Sequence, residues 1–331
     1  MTDYKEQLAN AASFIQQNDH FLIVSHINPD GDTISSSLAL AHLLKALGKS
    51  FQIVNQDQIP KKFLFLPLAD QIQRIQNVKE KFSVIISVDL ADRLRMGDID
   101  PLVAEGAKIL NIDHHPTNDH FGDVNLLLPT AAATAEIVYD LTDQLEVPID
   151  KNLATCIYTG LFTDTGGFRY SNTSPKVMRI AAELLEYGVS PSEIAEITLE
   201  TITKGHIDVL KIALSKLEII EDGKIAWTFL EKKDLPDTIL SDETEGIVNY
   251  CRNIEGVEVG VFFKETEDHV IKVSLRSKKI VDVGAIAKSF GGGGHARAAG
   301  FTFHGPLEEV KALLRYKIKR DEGWSRLGNE T

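Results

Sequence analysis

Cysteine is almost missing from this chain. There are two in 331 residues, Cys156 and Cys251, far apart and neither in a CxxC pair. That count argues against a disulfide framework and against a cysteine-rich zinc site. Excess basic charge is missing too: 35 Lys+Arg stand against 48 Asp+Glu, a net charge of −13. Such a balance disfavours a broad basic face that coats long duplex nucleic acid. It leaves room for a short anionic substrate gripped by metal ions and a few arginines. No apolar stretch approaches the ~20 residues of a membrane span, so no membrane partner is expected. The opening MTDYKEQLAN lacks the charged-then-apolar pattern of a signal peptide. A cytoplasmic, reduced setting is the expectation. Internal repeats are absent as well.

What is present is the composition of a globular protein, 43% hydrophobic and 25% charged. A single core seldom grows beyond ~250–300 residues, so two domains are expected. The first half alternates apolar runs with helical patterns. Phe21-Leu22-Ile23-Val24, Phe82 to Val88 and, more weakly, Lys108 to Ile112 read as buried strands. Ser37 to Lys49, Ala132 to Leu145 and Leu153 to Thr163 read as helices. This alternation predicts an α/β, Rossmann-like domain with a mostly parallel sheet covered on both faces. Near residue 189 the character changes. Ser190 and Pro191 suit the cap and first position of a helix, and helical periodicity runs from Ile194 towards Leu217. Strand-like runs follow over Lys224 to Leu230, Val257 to Phe263 and His269 to Leu275, the last two forming a hairpin across Lys264–Asp268. The division expected is 1–188, a linker helix region at 189–204, and a smaller mixed α/β domain over 205–331.

Five segments carry chemistry. Directly after the first strand comes Ser25-His26-Ile27-Asn28-Pro29-Asp30-Gly31-Asp32. In open α/β sheets ligands bind beyond the carboxyl ends of strands, and Pro29 and Gly31 force a turn that presents His26, Asp30 and Asp32 together. Asp30 and Asp32 could equally be plain turn residues and helix caps. Asp89 closes the second strand, where a carboxylate is costly unless paired or metal-bound; a helix N-cap is its bland alternative, and Asp92 reads as an exposed turn or cap. Asp113-His114-His115 follows the third strand. In extended backbone the two imidazoles cannot point the same way, so one can ligate a metal while the other faces substrate or solvent, with Asp113 orienting a ligating histidine. Asp164 closes a helical pattern before Gly166-Gly167. Gly291-Gly292-Gly293-Gly294-His295 lies in the second half, where glycines let backbone N–H groups approach an anion closely. His26, Asp30, Asp32, Asp89, His114 and Asp164 are more mixed N/O ligands than one ion needs. They fit two divalent ions sharing a carboxylate, ~3.5–4 Å apart, as used for in-line attack on phosphorus. The histidines shift the expected metal from Mg2+ towards Mn2+, Fe, Co2+ or Zn2+.

These residues together resemble the DHH phosphoesterase family. Asp113-His114-His115 resembles its name-giving triplet, while His26-x-x-x-Asp30-x-Asp32, Asp89 and Asp164 fall in the order of its other metal motifs. Gly291–His295 followed by Ala298-Ala299-Gly300 is similar to the glycine motif of the DHH-associated C-terminal domain. The likeness runs from about residue 20 to about 315. The two-domain layout and Thr163-Asp164-Thr165-Gly166-Gly167-Phe168-Arg169-Tyr170 resemble the NrnA-like branch, oligoribonucleases that also dephosphorylate pAp (3′-phosphoadenosine 5′-phosphate). One departure is Ser35-Ser36, where the family often has Gly then Ser; every ligand position is intact.

The resemblance implies an active site in the cleft between the two domains, with two divalent ions, Mn2+ foremost and Mg2+, Co2+ or Zn2+ as alternatives. It implies that His26 and Asp30 bind one ion, that Asp32, His114 and Asp164 bind the other, and that Asp89 bridges them. A hydroxide formed between the ions would attack phosphorus in line with the leaving ribose oxygen. His115 would contact the phosphoryl oxygens or assist proton transfer, with Asp113 as support. Arg276, the glycine backbone at Gly292, Gly293 and Gly294, and His295 would hold the substrate, while Arg297 could as well be a solvated charge. The substrates implied are very short single-stranded RNA, linear dinucleotides such as pGpG or pApA, and pAp; a homodimer is compatible with the family. Two other readings stay open: a family II-like inorganic pyrophosphatase, and a non-catalytic nucleotide sensor on the same fold.

Overall fold

The computed structural model describes residues 3–235, 241–321 and 324, and divides into two compact units between Thr201 and Ile202. The first opens with α1 (Tyr4–Gln17), β1 (Phe21–Ser25), α2 (Gly31–Ala46) and β2 (Phe51–Asn55). It continues through β3 (Ile72–Arg74), β4 (Phe82–Val88), β5 (Val103–Asp113) and β6 (Val124–Leu127) to α3 (Thr134–Gln144), α4 (Lys151–Asp164), α5 (Pro175–Glu186) and α6 (Pro191–Ala195). Its six strands run in the order β3-β2-β1-β4-β5-β6 and every pairing is parallel. The strands are apolar on both faces because both are covered. Phe21, Ile23, Ile86 and Ile112 pack with the helices, whereas Leu22, Val24, Ile85 and Ile109 pack with Leu90, Met96, Ile99 and Leu102 from turns and short 3-10 segments. Each fully buried side chain of this size contributes about 1.5–3 kcal/mol. The strand order reverses between β1 and β4, which opens a crevice past their carboxyl ends.

The second unit contains α7 (Lys204–Ser215), β7 (Glu218–Ile220), β8 (Ile225–Leu230), α8 (Ile247–Asn253), β9 (Val259–Glu267), β10 (Val270–Ser277), α9 (Val283–Lys288), β11 (Gly293–His295), β12 (Ala298–His304) and α10 (Leu307–Lys319). Its sheet, β11-β12-β10-β9-β8-β7, is antiparallel except for the β8–β9 pair. Val273, Leu275, Val259 and Val261 of the sheet share a core with Val283, Val310 and Leu314 of the helices.

Several expectations shift. The helix expected from Ser37 starts at Gly31, because the Asp30 side chain accepts the Thr33 N–H at 3.1 Å and caps it there. The continuous helix expected from Ile194 to Leu217 is broken: one π-helical turn over Glu196–Glu200 ends in extended Thr201, and Thr203 caps α7 through the His206 N–H. The hairpin loop is shorter than Lys264–Asp268, since β9 carries on to Glu267. The glycine run is a strand in its second half, with Gly293, Gly294 and His295 paired to Gly300, Ala299 and Ala298. A side chain at Gly292 would collide with the backbone of Gly300 and Phe301, so close backbone approach demands glycine there. The expected end of the second domain at 331 lies outside the described residues.

Candidate metal centre

Three strand ends and two helix ends converge in the crevice of the first unit. His26 follows β1, Asp89 follows β4, and Asp113, His114 and His115 close or follow β5. Asp30 and Asp32 lie at the start of α2, and Asp164 is the last residue of α4.

Asp89 is the hub. It is buried, and its backbone takes φ 61°, a left-handed conformation that aspartate tolerates better than most residues. Its N–H donates to the Ile112 carbonyl at 2.9 Å, which ties the turn to β5. The two carboxylate oxygens face different groups. Oδ2 accepts the Thr33 hydroxyl at 2.8 Å and lies 3.5 Å from His26 Nε2. Oδ1 accepts the Thr134 hydroxyl at 2.9 Å and lies 3.6 Å from His114 Nε2. No N-cap role is needed to explain this aspartate, whereas Asp92 does cap, accepting the Arg95 N–H at 3.2 Å.

Two donor clusters flank it. His26, Asp30 and Asp89 form one, and Asp32, His114 and Asp164 form the other; within each, one candidate ligand atom per residue lies within 4.8 Å of the others. In both histidines Nδ1 faces a backbone carbonyl, Ile27 for His26 at 2.7 Å and Ala131 for His114 at 3.2 Å. A carbonyl only accepts, so Nδ1 holds the proton and Nε2 is the nitrogen turned to the carboxylates. Hard carboxylate oxygens with imidazole nitrogens suit a divalent first-row ion. Asp32 uses both oxygens, accepting Thr134 N–H at 2.6 Å, Ala135 N–H at 3.1 Å and the Ser36 hydroxyl at 2.8 Å. It thereby caps α3 from a different helix, satisfying N–H groups that a buried helix start would leave orphaned.

The titration pattern reflects crowded charge. Burial, reinforced by Asp89 and Asp164, holds the Asp32 carboxyl well above the usual carboxylate range. Burial also pushes Asp164 up to about 7 despite the opposing pull of His114. Burial lowers His114, but Asp164, Asp89 and Asp32 outweigh it and raise it to about 9. For Asp89 the order reverses: burial would raise it, yet His26, His115 and His114 hold it well below the ordinary value. Protons on imidazoles and carboxyls thus offset charge that a pair of cations would otherwise balance.

Asp113 orients His115. Its Oδ1 accepts His115 Nδ1–H at 2.7 Å and its Oδ2 accepts Asn118 Nδ2 at 2.6 Å. The two imidazoles do not point apart as extended backbone predicts: they meet edge to face, centroids 4.8 Å and planes 67° apart, and both approach Asp89 Oδ1, His114 Nε2 at 3.6 Å and His115 Nδ1 at 3.7 Å. In the second unit, Arg276 of β10 and His295 of β11 both pair with Ala298, so the three share one face of the sheet. Arg297 Nη1 donates to the Val281 carbonyl at 2.7 Å, which gives this arginine a part in closing the loop before α9.

Sequence reasoning missed Thr33, Thr134 and Asn118, the hydroxyls and amide that position the aspartates. Only Thr134 left a signal, at the head of a helix whose first N–H groups need an acceptor. Ser35, at the position where glycine was expected, is buried with its hydroxyl unpartnered among the described residues. Close packing there is supplied by Gly160 of α4, where a Cβ would sit 2.7 Å from Asp32 Oδ1 and 3.3 Å from Ser35 Cβ. Among the described residues no helix is long and apolar enough to cross a membrane.

Residues 20–161 match the DHH family, N-terminal domain, and residues 222–320 match the DHHA1 domain. A Thermus thermophilus protein named bifunctional oligoribonuclease and PAP phosphatase NrnA is 37% identical over 304 residues, 90% of each chain. A Bacillus subtilis protein of the same name is 29% identical over 86% of this chain and 90% of its own. Among solved structures, an exopolyphosphatase-related protein from Bacteroides fragilis superposes with a TM-score of 0.85 at 27% identity, covering 96% of both chains.

Proposed function

The chain belongs to the DHH family, and from that premise we propose that it is a metal-dependent phosphoesterase which hydrolyses very short oligoribonucleotides to mononucleotides and removes the 3′-phosphate of pAp. The observation that carries the reading is the two-sided Asp89, whose oxygens face separate His/Asp clusters. In this proposal His26, Asp30 and Asp89 hold one divalent ion, and Asp32, His114 and Asp164 hold the other with Asp89 shared. Mn2+ is the ion the family resemblance puts first, with Co2+, Zn2+ or Mg2+ as competitors; mixed imidazole and carboxylate donors suit a divalent first-row ion in general. Bound there, two such ions would supply Lewis acidity and lower the pKa of water.

The chain's own groups do the rest. His115 is pulled down by burial but raised on balance by Asp113 and Asp89, which favours the protonated ring. Held by Asp113, it is suited to donating that proton, or a hydrogen bond, to the phosphoryl oxygens. Arg276, His295, Arg297 and the backbone of Gly292, Gly293 and Gly294 form the substrate-holding half in this reading; a guanidinium fork suits two phosphate oxygens. Contacts limited to one end of a strand saturate after a few nucleotides, and the net charge of −13 repels longer chains.

The test is to strip the protein of metal, restore Mn2+, Co2+, Zn2+ or Mg2+ singly, and follow products from pAp, an RNA dinucleotide, a pentanucleotide, long RNA and pyrophosphate. Metal-dependent turnover that falls with RNA length supports the reading. Equal turnover at all lengths, or turnover of pyrophosphate alone, overturns it.

A further inference from the structure

The ligands of the metal centre come from four places in the chain, yet one short stretch of backbone touches most of them. Ala131 offers its carbonyl to His114 Nδ1 at 3.2 Å. Thr134 and Ala135 give their N–H groups to Asp32 at 2.6 and 3.1 Å, and the Thr134 hydroxyl reaches Asp89 at 2.9 Å. The Ala132 carbonyl accepts Asn172 Nδ2 at 3.1 Å, and the same amide group reaches the Asp164 carbonyl at 3.1 Å. Residues 131–135 are therefore a strap that bears on Asp32, Asp89 and His114 directly and on Asp164 through Asn172.

The strap is alanine-rich and brings only one polar side chain, that of Thr134. Its place must be fixed from outside. Of its other backbone donors, the Ala131 N–H goes to the Leu128 carbonyl at 2.9 Å and the Ala132 N–H to Glu136 Oε2 at 2.9 Å. Glu136 is itself buried, and its other oxygen pairs with Lys176 of α5 at 3.1 Å. Lys176 is anchored in turn on Asp140 at 2.6 Å, which also accepts the Tyr4 hydroxyl of α1 at 2.8 Å. An ordinary capping box would send this glutamate to the N–H of the cap residue, Ala133. Here it reaches one residue further back, to the middle of the strap.

We propose that Glu136, braced by Lys176, is a positioning residue of the metal centre, fixing the Ala131–Ala135 strap so that Asp32, Asp89 and His114 are preset for divalent ions. The inference rests on the metal-centre reading above. Partners of this kind typically change metal affinity about 10–100-fold.

The measurement is calorimetric titration of the metal-stripped full chain with Mn2+ alone, together with amide hydrogen exchange of the peptide spanning residues 131–136. Glu136→Ala should weaken Mn2+ binding about 10–100-fold and speed exchange in that peptide, while Glu136→Gln, whose amide oxygen still accepts the Ala132 N–H, should stay within a few-fold of wild type. Should Glu136→Ala fail to fold, Glu136→Asp carries the same expectation: it keeps the charge beside Lys176 and draws the oxygen back by one methylene. Wild-type Mn2+ affinity in the alanine or aspartate variant, with only the melting temperature lowered, overturns the inference and leaves the metal centre standing. A wild-type chain that takes up no Mn2+ overturns both.

Discussion

The aspartates of the first unit and the basic groups of the second solve opposite problems. Asp32 and Asp89 are sealed from solvent; Asp32 accepts two backbone N–H groups and the Ser36 hydroxyl, and Asp89 accepts the hydroxyls of Thr33 and Thr134. Arg276 and His295 stand on a sheet face, only half-buried, where strand pairing fixes their backbones and Arg276 Nη1 donates to the Leu275 carbonyl at 2.9 Å. A preset, desolvated donor set suits an ion of fixed size, because misplacing a ligand by an ångström loses most of its attraction. A half-exposed surface suits a ligand that comes in several lengths. The lesson is that the first unit buries its carboxylates while the second keeps its basic groups within reach of solvent.

That contrast can be broken most forcefully at Asp89. Asp89→Asn should cut turnover by about 10³-fold or more, the scale of losing a central electrostatic group, with KM little changed; a loss confined to KM would erase the contrast. His115→Ala should cost about 10²-fold in kcat, and Asp113→Asn should follow it in the same direction because it releases the His115 ring. Arg276→Ala should act on the other side, lowering kcat/KM about 30-fold, as expected for one charge-assisted hydrogen bond of ~2 kcal/mol, mostly through KM for pAp. Arg297→Met should do least to kinetics and most to stability, about 1 kcal/mol in a urea titration, since the Val281 carbonyl loses one of its two donors and keeps Ser277 Oγ.

Acidity sharpens the same comparison. With Asp164 raised to about 7 and His114 to about 9, both must shed protons before they can ligate. Mn2+ affinity should therefore rise with pH, by about tenfold per unit for each proton displaced, more steeply below about 7 than between about 7 and 9. Proton release measured in buffers of different ionisation heat checks the count. In the metal-free chain the sign for His114 runs the other way. Its raised pKa gives stability that is complete below its unfolded value and lost as pH climbs through about 9.

Much of the centre is legible in the sequence because its ligands sit in turns directly after apolar strands, where a run of Val and Ile ends in an otherwise inexplicable carboxylate or imidazole. The groups that hold those ligands are not legible. Thr33, Thr134 and Asn118 are ordinary loop and helix residues until tertiary contact, such as Asp32 meeting α3 across 102 positions of sequence, gives them partners. Periodicity misled at residues 201–203, because Leu199, Ile202 and Ile207 continue an apolar rhythm although all three are exposed. The strand in the second half of the glycine run was not legible for a related reason. Approach to an anion and close strand packing both call for glycine, and only the neighbour, here the backbone of Gly300 and Phe301, reveals the packing.

One practical matter follows from Asp32 closing the start of α3. A disabled version of this protein is wanted for trapping intact substrate, and Asp32 looks an obvious place to disable it. Its removal would uncork a buried helix as well as an ion, so a silent variant there would say little about chemistry. Asp164 is the better target: it ends a helix instead of stoppering one, and among the described residues no backbone N–H depends on its carboxylate. An inert decoy built at Asp164 should keep its shape and hold its cargo.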